Sequence, residues 1–295
     1  MRAIRRGGRG EEELAIVERT FIQPGIQAIF RQRGRSVVRT NQTTDLPKNL
    51  NPQNPIDFGD QLYPEMKSRK FRRYLASRLS RVDGLGNASR DMDEERYEQK
   101  AKDLGLLEPV NGKLVIAGEL LEWFVANCLQ REFSCPSFWG VIVEDLPNDF
   151  DVITYRGASV GYIECKGGRV EGIDEGKVRE FLKREMALSP SFSVFLADDA
   201  SRERLSEIAQ RFLSQTKLYR YEVPGMMNTG IDLEAEAYDS FIRVIPINCF
   251  IVSGEKRLKT VFEEVFQFLT VVCDRPMPFE NRAAKERFKK KAGET

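Results

Sequence analysis

No histidine occurs anywhere in the 295 residues. That absence removes Ser-His-Asp and Cys-His triads, histidine-ligated zinc, and every nuclease that relies on a histidine base. There is no G-x-x-x-x-G-K-[ST] loop to hold nucleotide phosphates. Gly84-Leu85-Gly86-Asn87 has two glycines but no apolar strand before it, so it is no dinucleotide fingerprint. The five cysteines, 128, 135, 165, 249 and 273, include no C-x-x-C pair. Their odd number and wide spacing suit reduced thiols in a cytoplasm better than a disulfide framework or a zinc site. No apolar run approaches the roughly 18 residues needed to span a bilayer. The basic start, Met1 to Gly10, is not followed by an apolar signal segment. The expectation is a cytoplasmic protein with no membrane partner, whose chemistry rests on carboxylates, lysine, hydroxyls, thiols and bound ions.

A net charge of +1 hides an uneven distribution. Between Lys67 and Arg81 there are seven basic residues and no acidic one, whereas the part after about residue 107 is mildly acidic. Lys67, Arg69, Lys70, Arg72 and Arg73, interleaved with Phe71 and Tyr74, are the candidates for tracking a nucleic-acid backbone; a solvated helix face is the plainer reading. The first 105 residues read as a helical, basic region. Glu11 to Arg33 is helical with a break at Gln23-Pro24-Gly25, and 40–64, with four prolines and many amides, reads as a linker. Glu65 to Arg81 and Asp91 to Leu104 are further helices. A short hairpin turned at Asn111-Gly112, with its strand at Lys113 to Ile116, follows them in the manner of a winged-helix module.

From Gly118 the rhythm changes. Glu119 to Glu132 is an amphipathic helix. Phe138–Val143, Phe150–Tyr155 and Val160–Cys165 are strands, the last two joined by a turn at 156–159. A helix (Asp174 to Leu188), a strand (Phe192 to Ala197) and a helix (Ser201 to Leu213) come next. Strands within 241–252 and a helix from Glu255 to Leu269 complete the pattern. Meander strands followed by α/β units indicate an α/β domain over 106–273, with a mixed central sheet flanked by helices. A charged tail occupies 274–295.

The strand Gly161-Tyr162-Ile163-Glu164-Cys165-Lys166 ends in two charges that alternation places on one face. Asp151 opens the neighbouring strand, and a hairpin brings it close to Glu164. Adjacent carboxylates repel, at a cost a divalent ion removes, and an oxygen-rich site suits Mg²⁺ or Mn²⁺. Glu-x-Lys alone is common, since Glu98-Gln99-Lys100 and Glu175-Gly176-Lys177 also occur, in helical contexts. An exposed cross-strand ion pair is the bland alternative for Glu164 and Lys166.

Taken together, Gly118-Glu119-Leu120-Leu121-Glu122, Asn148-Asp149-Phe150-Asp151-Val152-Ile153 and Tyr162-Ile163-Glu164-Cys165-Lys166 resemble the restriction-endonuclease-like PD-(D/E)xK superfamily over roughly residues 105–200. The order is closest to the nuclease domain of CRISPR ancillary nucleases activated by cyclic oligoadenylate, without their sensing domain. Archaeal Holliday-junction resolvases share a looser version. The resemblance implies a restriction-endonuclease-like fold and a Mg²⁺-dependent endonuclease. Glu122 would be the helical acid, Asp151 and Glu164 metal ligands together with Glu122, and Lys166 the catalytic lysine. Glu119 competes with Glu122, and Asp149 with Asp151. The implied partner is nucleic acid, DNA before RNA, in a defence or restriction role, with a homodimer or a defence complex as the assembly. The alternatives are a structure-selective or repair nuclease such as a junction resolvase, and a non-catalytic binding or assembly protein that keeps the fold.

Overall fold

The computed structural model describes residues 35–47, 55–79, 92–107, 117–146, 149–157, 159–167, 172–222, 234–245 and 248–272, with a few single positions between 27 and 50. Most of the helix expected over 11–33, the hairpin at 111–116 and the tail from 274 lie outside them.

Among the described residues eight strands form one sheet: β1 (Val37–Gln42), β2 (Ser137–Val143), β3 (Asp149–Arg156), β4 (Ser159–Lys166), β5 (Phe192–Ala197), β6 (Glu234–Ala237), β7 (Phe241–Ile245) and β8 (Cys249–Ser253). Their spatial order is β1-β2-β3-β4-β5-β8-β7-β6. β1 to β4 run antiparallel, β4, β5 and β8 are parallel, and β7 and β6 close the far edge antiparallel. Parallel neighbours need a crossover. Helix α5 (Glu175–Leu188) supplies it between β4 and β5, and α6 (Arg202–Glu222) begins the return to β8. The α/β architecture with a mixed sheet flanked by helices is the one expected.

The apolar residues sort onto two faces. One carries α1 (Pro55–Met66), α2 (Arg69–Leu79), α4 (Ala117–Phe133) and α7 (Leu258–Val272), packed with Trp139, Val152, Ile163 and Cys165 of the sheet; α3 (Met92–Asp103) joins it through Ala101. The other carries α5 and α6, packed on Phe138, Phe150, Tyr162 and Phe195. Strands buried on both sides read as continuous apolar runs rather than alternations, as in the wholly buried Phe192–Ala197.

Residues 40–64, read from composition as a linker, instead hold the end of β1 and most of α1. β1 is an edge strand whose pairing to β2 contains irregular steps, so Val-Val-Arg-Thr-Asn-Gln shows no clean alternation. Gly59 and Pro64 disguise α1. Pro64, inside the last turn, has no N–H to give the i−4 carbonyl and so weakens that turn, and Lys67 and Ser68 close that end with N–H bonds back to the Pro64 and Glu65 carbonyls. The helix expected over 65–81 is therefore split, with α2 starting at Arg69.

Candidate active site

The β3–β4 ladder runs from Arg156–Ser159 to Val152–Ile163, and the next positions in that register are Asp151 and Glu164. At that point the ladder is continued by a side chain: Asp151 Oδ2 accepts the Cys165 N–H at 2.7 Å. The neighbouring β2 has a matching irregularity. Trp139 faces the α4 layer but Val141 faces the α5–α6 layer, although residues two apart on a regular strand share a face. Phe150 and Val152 show the same switch on β3. Gly140, between Trp139 and Val141, has φ +56°, which an L side chain rarely adopts. The double switch turns Asp151 off the regular pleat and towards β4.

Glu164 is fully buried and Asp151 is 6% exposed. Two cations meet them. Lys166 Nζ lies 2.5 Å from Glu164 Oε1 and 3.9 Å from Asp151 Oδ2. Arg184, from the buried side of α5, places Nη2 3.0 Å from Glu164 Oε1 and Nη1 3.8 Å from Asp151 Oδ1. Arg184 Nη1 also donates to the Asp149 carbonyl at 2.7 Å, and the Tyr162 hydroxyl donates to Glu164 Oε2. Burial first, then the charge of Glu164, pushes Asp151 up to about 7, against the pull of Lys166, the Cys165 N–H and Arg184. Burial alone would lower Lys166, but Asp151 and Glu164 outweigh it and raise the ammonium pKa. Both acids therefore favour the charged ammonium form of Lys166.

Glu122 projects from α4, which packs on β2, β3 and β4. Burial, followed by the charges of Asp151, Asp149 and Glu119, pushes it up to about 10. The helix thus brings a carboxyl into the field of the strand acids, but as the neutral acid at pH 7. Among the described residues no group of three or more Cys, Asp or Glu side chains is arranged to hold a metal ion. Two carboxylates remain, Asp151 and Glu164. For Mg²⁺ that is a sufficient protein share, because this ion commonly takes one or two carboxylates and fills its octahedron with water and substrate phosphate.

The five basic residues expected to meet nucleic acid all have acid partners within the chain. Arg72 is buried, with Nε and Nη2 on the two Asp198 oxygens at 2.8 and 2.7 Å and Nη1 on the Met66 carbonyl at 2.7 Å. It braces α2 against the end of β5 and has no surface to offer a polyanion, which corrects its expected role. Arg69 donates to the carbonyls of Asp198 and Ala200, and Arg73 pairs with Asp199 at 2.7 Å. Lys67 pairs with Glu132 and Lys70 with Asp93. The side chains of Lys67, Lys70 and Arg73 are more than half exposed (52, 70 and 58%), so their charge still reaches solvent. Asp198 also donates its N–H to the Lys166 carbonyl at 2.9 Å. The start of α2 therefore stands at the strand ends that carry Lys166.

Arg184 and Tyr162 were not among the expected site residues. Each left a signal. Arg184 is three residues after Phe181 and four before Leu188, so it is a charge on the apolar stripe of α5. Tyr162 is two before Glu164 on the same strand face.

No family model matches this chain, and no curated protein matches it. Among solved structures, a similarity exists to Can2 from Sulfobacillus thermosulfidooxidans in complex with cyclic tetra-adenylate. Identity is 12% and the TM-score 0.35, over 68% of this chain; the chain spans 59% of that protein's length. At that level the similarity bears on neither the site nor the activity.

Proposed function

We propose that the chain is a metal-dependent nuclease that hydrolyses phosphodiester bonds, those of DNA in a defence or restriction role, at Asp151, Glu164 and Lys166. One observation carries the proposal. Two acids from adjacent strands, aligned by an interrupted ladder, share one partly exposed lysine at the strand ends. Asp151 and Glu164 would hold Mg²⁺ or Mn²⁺, which supplies an activated water and shields the scissile phosphate. Lys166, 26% exposed in its side chain and kept protonated by both acids, faces the open side. There it stabilises the charge that develops on a phosphate oxygen. Arg184 and Tyr162 fix Glu164 from within, so that its carboxylate does not reorganise during the reaction. Exposed Lys67, Lys70 and Arg73 add positive potential on α2.

A second reading draws on the same geometry. Two cations already neutralise two acids, which is what a structural ion-pair cluster in a binding or assembly protein would show. The two separate when the protein is incubated with plasmid, linear duplex, single-stranded DNA and RNA, with Mg²⁺ and with EDTA, beside Lys166→Ala. The nuclease reading predicts metal-dependent cutting that the variant lacks. Binding by both proteins with no cutting selects the assembly protein, and cutting that persists in EDTA removes the mechanism.

A further inference from the structure

Glu164 is met by two cations of different kinds. Lys166 comes from the strand end and is 26% exposed in its side chain; Arg184 comes from beneath, 9% exposed. Arg184 is held at several points. Nη2 is on Glu164 Oε1, Nη1 is on the Asp149 carbonyl with Asp151 Oδ1 3.8 Å away, and Nε points to the Glu180 carbonyl. A guanidinium cannot be deprotonated at working pH, and its planar fork is rigid. Lysine has a flexible stem and a single charged point. Of the two, Lys166 can yield its contact to an arriving ion from the solvent side, and Arg184 cannot.

We infer that Arg184 is a positioning residue that permanently fills the place of a second cation between Asp151 and Glu164, so that the site takes one divalent ion and not two. The inference rests on the nuclease reading for the identity of the ion, and deepens it. Two buried acids and two cations are neutral together. One divalent ion with a substrate phosphate leaves a small positive excess. A second ion would add two charges beside a fixed guanidinium in a poorly solvated site, where like charges repel strongly. Without a counter-cation, by contrast, Asp151 and Glu164 repel each other, and the metal becomes their principal neutraliser.

The test counts ions and does not depend on cutting. Mn²⁺ is titrated into the metal-free full chain and free Mn²⁺ is followed by electron paramagnetic resonance, for wild type, Arg184→Lys and Arg184→Met. Wild type should bind one Mn²⁺ per chain at the site. Arg184→Met should bind it about tenfold or more tightly, because the competing charge is gone, and should gain a second equivalent. Arg184→Lys, which keeps the charge but cannot span both acids, should fall between. Two ions in wild type, or unchanged or weaker affinity in Arg184→Met, overturns the inference. If Arg184→Met does not fold, the wild-type count and Arg184→Lys still decide. Cutting with two bound ions sinks this inference and leaves the nuclease reading standing. One bound ion with the expected variant shifts but no cutting does the reverse, and no Mn²⁺ binding at all removes both.

Discussion

Replacing Arg72 by methionine removes one half of a buried pair that ties α2 to the end of β5. The pair is bidentate, with both contacts below 3 Å, and its side chains are 4 and 5% exposed. Two unit charges about 4 Å apart interact by roughly 4 kcal/mol at an effective dielectric near 20. The variant also strips the Met66 and Lys67 carbonyls of their donor. Breaking one partner of a buried pair typically costs about 3–5 kcal/mol, because the other charge stays buried. That is a large part of a typical domain's stability. Urea denaturation at pH 7 should therefore show Arg72→Met and Asp198→Leu each destabilised by about 3 kcal/mol or more. The double variant Arg72→Met/Asp198→Leu should recover much of that loss, since no buried charge is left alone. Nucleic-acid affinity of the folded Arg72→Met protein should be unchanged, whereas Lys70→Ala and Arg73→Ala, both exposed, should weaken it and flatten its salt dependence. A single substitution costing less than about 1 kcal/mol, or a double variant as unstable as the sum of the singles, refutes the assignment of Arg72 as a brace.

Glu122→Gln should stabilise the metal-free protein in a pH-dependent way. The folded pKa of Glu122 is raised to about 10. Stability is therefore fully retained below the unfolded value near 4.5 and is lost as pH rises towards 10. Thermal scans should show the variant matching wild type near pH 4 and pulling ahead steadily towards pH 9; a gap that does not change with pH contradicts this. Glu185→Gln is the control, because burial raises Glu185 only to about 7. Its advantage should open between about pH 4.5 and 7 and then level off. Gly140→Ala should cost about 1–2 kcal/mol for its left-handed backbone alone. A Cβ there also meets the Asn41 side-chain nitrogen at 2.7 Å, so adding Asn41→Ala should restore only part of the loss in a denaturation series.

Much of the arrangement around the site was legible in local pattern. Phe192–Ala197 is a fully buried apolar strand with matching expected and observed ends. The helix ending at Leu188 begins with Asp174 capping the Lys177 N–H, a signal its sequence advertises. Glu164 and Lys166 follow from strand alternation. What pattern could not show was long-range pairing. β1 is held by β2 and not by its own propensity, and α1 conceals its helical character behind Gly59 and Pro64. The ties of Arg72 and Arg73 within the basic run were hidden because their acid partners, Asp198 and Asp199, lie more than 120 residues away. The electrostatic setting of the helical acid was hidden for a related reason. Only the folded environment, by burial and the charges of Asp151, Asp149 and Glu119, raises the Glu122 carboxyl to about 10.

Asp151, Glu164 and Lys166 are proposed as a hydrolytic centre and not a structural ion-pair cluster. The most direct measurement is the single-turnover cleavage rate of an end-labelled DNA duplex in Mg²⁺ by wild type and Asp151→Asn, with duplex affinity and thermal stability recorded for both. The variant should stay folded, bind the duplex within a few-fold of wild type, and cleave it on the order of 10²-fold or more slowly. Equal cleavage by the two proteins, or none by either across DNA and RNA substrates, contradicts it.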